Sequence, residues 1–367
     1  MSSGLARRAA LSWARSRALT PQRLWPVLRA RGGIEALLAT SEDELSSELR
    51  SKDLARAVLR GPEDPEAARW AAATERGGVR LLTPFDDEYP RLLLEIADPP
   101  FVLHALGKIE RLGLPAVAIV GSREASRYGR DVATRLAKEL SAVGVAVVSG
   151  FARGVDAAAH AAALEGPGGT IAVLGCGLDV DYPREHARLK AALAADHLLV
   201  SEYPPGSEPR PQNFPIRNRI IAGISSGVVV VEASRRSGSL ITARLAADFG
   251  RDVFAVPGSV FSPTSVGAHE LLRDGAILCR GADDVLAELF PSIGVPLAAP
   301  AAPAAAVEIS PEARRILEAL TRDDGLSAEE LARALDLPAA TILAALFELE
   351  GAGIAVAAGG GRYGLKR

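Results

Sequence analysis

VAIVGSREASRYGRDVATRLAKELSAVGVAVVSGFARGVD, residues 117–156, sets the reading of the whole chain. The runs at 117–120 and 145–148 are apolar without polar alternation. Such strands need cover on both faces, as in a parallel sheet beneath helices. Between them Val132, Leu136, Leu140 and Val143 recur at helical spacing, and Gly144 stops the helix. Each strand runs into a turn holding glycine and arginine: Gly121-Ser122-Arg123 after the first, Gly150-Phe151-Ala152-Arg153-Gly154 after the second. At the carboxyl edge of a parallel sheet such turns offer backbone N–H groups and helix N-termini to an anion. The stretch predicts a strand–helix–strand unit with its function at that edge.

The same alternation continues outward from 116 to about 290. Strands are expected at 116–120, 145–149, 170–174, 197–201, 228–232, 252–256 and 276–279. Helices are expected at 127–143, 155–165, 184–195, 217–225, 239–249, 268–274 and 282–290. This pattern predicts an extended, Rossmann-like, doubly wound and mostly parallel α/β sheet over 77–291, with a lead-in segment at 77–115. Within the lead-in, 79–106 reads as strand, short helix and strand, and His104 as a histidine of the core or sheet edge. Residues 1–76 form an all-helical module of the helix-hairpin type, with helices at 5–17, 21–31, 34–39, 42–48 and 52–59. It reads as a packing or docking appendage rather than a DNA contact. PLAAPAAPAAA at 296–306 marks a Pro/Ala linker over 292–307. Three helices at 310–321, 327–335 and 339–350, then a glycine-rich hairpin at 354–365, predict a winged helix over 308–367. Its third helix, AATILAALFELE, has two Glu and no Lys or Arg, which argues for protein contact over DNA reading.

With 367 residues, 48% hydrophobic and 5% aromatic, the chain can build a large core from Ala, Val and Leu. A net charge of −3 excludes a general basic coat, so any polyanion site must be a local cluster. Lysine occurs only at 52, 108, 138, 190 and 366, and a compositional bias toward arginine and alanine makes any single arginine weak support. Cys176 and Cys279 stand far apart with no metal-ligand spacing, which suits a reduced, cytoplasmic chain. No apolar run reaches the ~18 residues of a membrane span. The arginine-rich start resembles a transit peptide, but its periodicity continues past residue 40 and reads as folded.

A βαβ unit first suggests a dinucleotide. That fingerprint needs three glycines and an acid at the end of the second strand. Here the turn is Gly121-Ser-Arg-Glu-Ala-Ser126 and the second strand ends in Ser149-Gly150, so no cofactor is expected. No Walker lysine motif occurs either. What remains is a ring of phosphate-compatible groups: Gly121, Ser122 and Arg123; Gly150, Arg153 and Gly154; Asn213, Phe214, Arg217, Asn218 and Arg219; and Gly238, Ser239 and Thr242. Arginine forks bind phosphate, glycine N–H groups let it approach, and Phe214 can stack a base. The sheet order must bring these turns together. Asp156 and His160, one helical turn apart, have no nucleophile or metal ligand beside them. They read as supports, with Asp156 complementing the helix dipole or holding Arg153 and His160 packed nearby. No catalytic residue and no metal site is expected.

These residues carry a resemblance. Val120-Gly-Ser-Arg123, Ser149-Gly-Phe-Ala-Arg-Gly-Val-Asp156 with Ala159-His160, 214–223 (FPIRNRIIAG), Ser237-Gly-Ser-Leu-Ile-Thr-Ala243 and Val256-Pro-Gly258 stand in the order and spacing of the DprA/Smf family of bacterial DNA-processing proteins. The segments DEYPRLL at 87–93 and DPP at 98–100 also resemble that family's pre-sheet region. The resemblance implies a non-enzymatic single-stranded-DNA-binding protein of natural transformation (competence). It would protect incoming strands, load the recombinase RecA and promote annealing of strands coated by single-strand-binding protein. It also implies a homodimer through the Rossmann-like domain, with Arg123 as the pocket arginine and Phe214, Arg217 and Arg219 in the matching basic segment. An enzyme is the alternative, because the superfamily is similar to nucleotide phosphoribohydrolases. Aligning Gly238-Ser239 with their glycine-threonine pair puts Leu240, Ile241 and Thr242 where those enzymes carry their catalytic acid. A third reading is an adaptor without DNA binding.

Overall fold

The computed structural model describes residues 2–16, 18–293, 309–320, 325–358 and 361–365. It divides into two compact units, Met1–Val295 and Pro296–Arg367. The first opens with six helices, α1 (Gly4–Arg15), α2 (Pro21–Arg31), α3 (Ile34–Leu38), α4 (Glu42–Leu49), α5 (Lys52–Leu59) and α6 (Pro65–Arg76). Helix α6 is additional to the five expected helices, and its start signal is plain. Asp64 accepts a hydrogen bond from the Glu66 N–H and Pro65 fills the first helical position. These helices bury Trp13, Leu24 and Leu28 in a cluster that also takes in Leu81, Phe101 and Val102 of the lead-in segment.

The sheet then follows as β1 (Arg80–Leu82), β2 (Leu103–Gly107), β3 (Ala116–Val120), α7 (Arg127–Ala142), β4 (Ala146–Ser149), α8 (Val155–Ala163), β5 (Thr170–Leu174), α9 (Ala187–Asp196) and β6 (Leu198–Ser201). It continues with α10 (Asn213–Ile224), β7 (Gly227–Val230), α11 (Ser239–Asp248), β8 (Asp252–Ala255), α12 (Val266–Arg273), β9 (Ile277–Leu278) and α13 (Ala282–Leu289). Helix α10 begins at Asn213 rather than at 217, because Pro215 falls in the first turn, where its missing N–H costs nothing.

The strand order is β1-β2-β6-β5-β4-β3-β7-β8-β9. β2 pairs antiparallel with β1 and β6, and the pairings from β6 to β9 are parallel. The unbroken apolar strands are covered on both faces. Ala116, Ala118 and Val120 pack with Ile220, Ile221, Leu240 and Ala243 of α10 and α11. Val117 and Ile119 pack with Leu136, Leu140, Val155 and Val285 of α7, α8 and α13. From β3 the chain leaves over one face to β4, and it returns over the other to β7, on the far side of β3. This reversal is a topological switch point, and it opens a crevice at the carboxyl ends of β3, β4 and β7.

In the second unit, α14 (Pro311–Ala319), β10 (Leu326–Ser327), α15 (Ala328–Leu335), α16 (Ala339–Gly351), β11 (Ala355–Ala358) and β12 (Arg362–Leu365) form three helices with a sheet ordered β10-β12-β11. Ser327 and Glu330 close the expected capping box on α15. Of the expected linker, residues 294–307 lie outside the described residues.

Candidate nucleic-acid interface

The sheet order brings three glycine-bearing turns and the start of α10 to one place. A pocket of about 540 Å3 is lined by Gly121, Ser122 and Arg123 after β3, and by Gly150, Ala152 and Asp156 after β4. The first turns of α10 and α11 supply Phe214, Arg217, Asn218, Gly238, Ser239 and Thr242 to the same walls. An adjoining cavity of about 340 Å3 shares Arg123, Gly150, Phe214 and Arg217 and reaches Arg153 and Glu185.

Phe214 is at the centre. Its ring lies 5.6 Å from the Arg123 guanidinium and 6.0 Å from that of Arg217. Tyr182, from the loop after β5, meets it at 5.4 Å between ring centroids. Sequence reasoning missed Tyr182, although it follows a strand at the same edge and stands exposed in that loop. Asn218 Nδ2 donates to the Gly238 carbonyl at 3.3 Å and ties the two helix starts together.

Arg217 is buried and donates to the Val173 carbonyl. Gly150 is glycine because a Cβ there would fall on this guanidinium. Burial pushes the Arg217 pKa down to about 10, with Asp156 opposing, so it stays cationic at neutral pH. Asp156 accepts from the Gly150 N–H at 3.1 Å and the Ala152 N–H at 3.2 Å. Burial pushes its carboxyl up, against the pull of Arg217. These bonds hold Phe151 between them in the left-handed region, at φ 59°. Of the two roles expected for Asp156, holding Arg153 is not the one observed, because Arg153 pairs with Glu185 in the side cavity.

His160 supports the turn from below. Thr170 Oγ1 donates to the Val147 carbonyl at 2.7 Å, so it accepts from His160 Nδ1, 2.6 Å away. Burial, with His186 and Arg217 nearby, lowers the His160 pKa to about 3 and keeps the ring neutral. Gly154 has φ +75°, and a Cβ there would fall on the Ser122 carbonyl, which accepts from the Val155 N–H at 3.2 Å. It docks one turn on the other and does not line the pocket.

Two expected contacts face elsewhere. Arg219 is buried between Asp98 at 2.9 Å and Glu202 at 2.7 Å. Burial opposes its charge, but the two carboxylates outweigh this and hold the guanidinium firmly protonated. Asn213 Nδ2 donates to the Gly175 carbonyl at 3.1 Å, joining the loop after β5 to the start of α10.

Glu232, at the end of β7, explains why the first βαβ unit cannot hold a dinucleotide in the usual way. Its buried carboxylate accepts from the Ser126 N–H at 2.9 Å and hydroxyl at 2.6 Å, and from Thr264 Oγ1 at 3.2 Å. A Cβ on Gly129 would fall on this carboxylate. The N-terminus of α7, where a pyrophosphate would sit, thus already holds an anion. The start of α11 holds no carboxylate: Gly238 at the cap has no side chain, Ser237 Oγ accepts from the Ser239 N–H at 3.3 Å, and the turn lines the pocket. Among the described residues no group of three or more His, Cys, Asp or Glu could hold a metal, and no helix is long and apolar enough to cross a membrane.

Fold and site together define a Rossmann-like α/β protein with a switch-point crevice, carried on one chain with a winged helix. The chain belongs to the DNA recombination-mediator protein A family: that family's model matches residues 80–290, and the DprA winged-helix model matches 299–361. DNA processing protein DprA of Streptococcus pneumoniae is 49% identical over 203 residues, 55% of this chain and 72% of that one. A Mycobacterium tuberculosis relative is 40% identical over 343 residues, 90% of this chain and 87% of that one. The X-ray structure of the S. pneumoniae protein superposes with a TM-score of 0.68 at 38% identity, covering 79% of this chain and 99% of that one. A structure of DNA processing protein A from Helicobacter pylori, concerned with its single-stranded DNA binding mode, superposes with a TM-score of 0.54 at 31% identity, covering 58% of this chain and 96% of that one. Membership places the chain among DNA-processing recombination mediators.

Proposed function

We propose that the chain binds single-stranded DNA in the carboxyl-edge pocket. Phosphates would lie on Arg123 and against the anion-free first turn of α11, and a base against Phe214. The observation that carries this reading is the Arg123–Phe214–Arg217 stack. It joins cations for a backbone to an aromatic face for a base, the combination that single-strand sites use. Arg123 is exposed and makes no ion pair among the described residues, so its charge is available. A duplex keeps its bases stacked and cannot offer one to Phe214 in a pocket. The relationship to the H. pylori protein supports the same ligand.

The chain then acts by holding a strand rather than by chemistry, since Asp156 and His160 are engaged in supporting the turns. Loading of RecA, protection of incoming strands, annealing of strands coated by single-strand-binding protein, and dimerisation through the α/β domain complete the reading. The test compares a fluorescent oligothymidine with its duplex under rising salt. Preference for the single strand is expected, and equal affinity for the duplex contradicts it. In parallel, RecA filament formation on coated single strands should accelerate when the protein is added, and an unchanged rate removes the loading role.

A further inference from the structure

Among described residues 77–293, the large hydrophobic side chains left exposed are not scattered. Tyr182, Ile216, Ile241, Val260 and Phe261 all lie in loops or first helical turns at the carboxyl edge of the sheet, and Leu278 lies on the edge strand β9. The pocket accounts for Tyr182 and Ile241. It does not account for Val260, 77% exposed, or for Phe261, 92% exposed, in the loop after β8. Single exposed hydrophobics need no explanation, but an aromatic almost wholly in water beside a concave polar site does.

This loop is built to hold Phe261 outward. The Ser262 N–H donates to the Ser259 carbonyl at 3.0 Å, and the Phe261 N–H donates to Ser259 Oγ at 3.3 Å. Ser262 Oγ and Thr264 Oγ1 share a hydrogen bond at 2.8 Å, and Thr264 is anchored on Glu232. The loop is also clamped to the pocket rim. The Ala233 N–H donates to the Thr264 carbonyl and the Gly267 N–H to the Ala233 carbonyl, both at 2.8 Å. Ser234 and Ser237, next along that rim, line the pocket, and the exposed Arg236 lies between them.

We propose that Phe261, with Val260 beside it, is a second base-stacking platform, over which the strand passes after leaving the Phe214 pocket across the Ser234–Ser237 rim. The inference rests on the single-strand reading of that pocket and extends the contact along the sheet edge. The occupant follows from continuity with the pocket and from the charge between: an aromatic face, a cationic rim and a second aromatic face suit one polyanion bearing successive bases. A short oligomer fills the pocket alone, whereas a longer one also reaches Phe261.

The test titrates the full chain with fluorescent oligothymidines from about 4 to about 16 nucleotides, as wild type, Phe261→Ala, Phe261→Trp and Arg123→Ala. Wild-type affinity should rise with length. Phe261→Ala should leave the shortest oligomer unaffected and weaken the longest about tenfold, the loss of one stacked base. Phe261→Trp should keep the length dependence, and its indole emission should be quenched by the long oligomer only. If Phe261→Ala matches wild type at every length while Arg123→Ala weakens them all, the second platform is wrong and the pocket stands. If wild type binds none of them at low salt, the pocket reading fails and takes the platform with it. A changed mass of free Phe261→Ala in sedimentation would assign the loop to contact between copies and overturn the proposal.

Discussion

Arg217 and Arg219 lie two positions apart on α10 and have opposite surroundings. Arg217 lines the pocket with one buried acid, Asp156, near it, and Arg219 is enclosed by Asp98 and Glu202. Removing Arg219 would leave two partly buried carboxylates without a counter-ion. Arg219→Met should therefore lower unfolding stability by about 3 kcal/mol in urea denaturation. Once folded, the variant should retain its affinity for oligothymidine. Spacing along the chain marked both residues as basic, and only the tertiary position of two distant acids separates them. His104 tests a different property. It is buried on β2 with Nδ1 3.3 Å from the Ser201 carbonyl, and burial lowers its pKa from 6.5 to about 4. Between those values the unfolded chain binds the proton more tightly, so stability is full above pH 6.5 and falls as pH drops toward 4. By pH 5, His104 should cost wild type about 2 kcal/mol relative to His104→Leu, beyond any difference at pH 7. Parallel denaturation curves at the two pH values measure this, and an equal difference at both would refute it.

At the scale of elements, the strands and helices of the sheet were legible because their apolar runs and helical spacings have separate periods and glycines mark their ends. The turns were legible as glycine and arginine clusters for the same reason. What could not be read was which turn would be emptied of anions and which filled. Glu232 is an ordinary strand-end acid in the sequence, yet it closes the N-terminus of α7 from a strand more than a hundred residues away. Glu232→Ala should unseat Ser126 and destabilise the fold by about 2 kcal/mol, as expected for the loss of charged hydrogen bonds that leaves donors unpaired. Thermal melts of both proteins measure it. Tyr182 was missed because the glycines of its loop, Gly175 and Gly177, stand well apart from its arginine, Arg184, although the loop follows β5 at the same edge. Helix α6 was missed despite the Asp64-Pro65 start signal, because its buried face rests on Ala67 and Thr74 and shows no row of large apolar side chains.

At the scale of the whole molecule, a chain of net charge −3 holds its candidate polyanion site as a local cluster in which most neighbouring arginines are already paired. Affinity should fall with salt along a shallow slope, because few phosphates are contacted. In the second unit α16 carries no Lys or Arg and presents Leu343 and Phe347 to solvent. Truncation after Val295, the boundary between the two compact units, should leave oligothymidine affinity within about twofold, a difference below 0.5 kcal/mol. A large loss would show the second unit to be a DNA contact. The measurement that bears most directly on the account is the salt dependence of oligothymidine binding by wild type and Arg123→Ala. Loss of one phosphate contact should weaken binding at low salt and lower the slope of log affinity against log salt by about one. An Arg123→Ala protein with wild-type affinity and slope would contradict the account, because the strand would then lie somewhere other than this pocket.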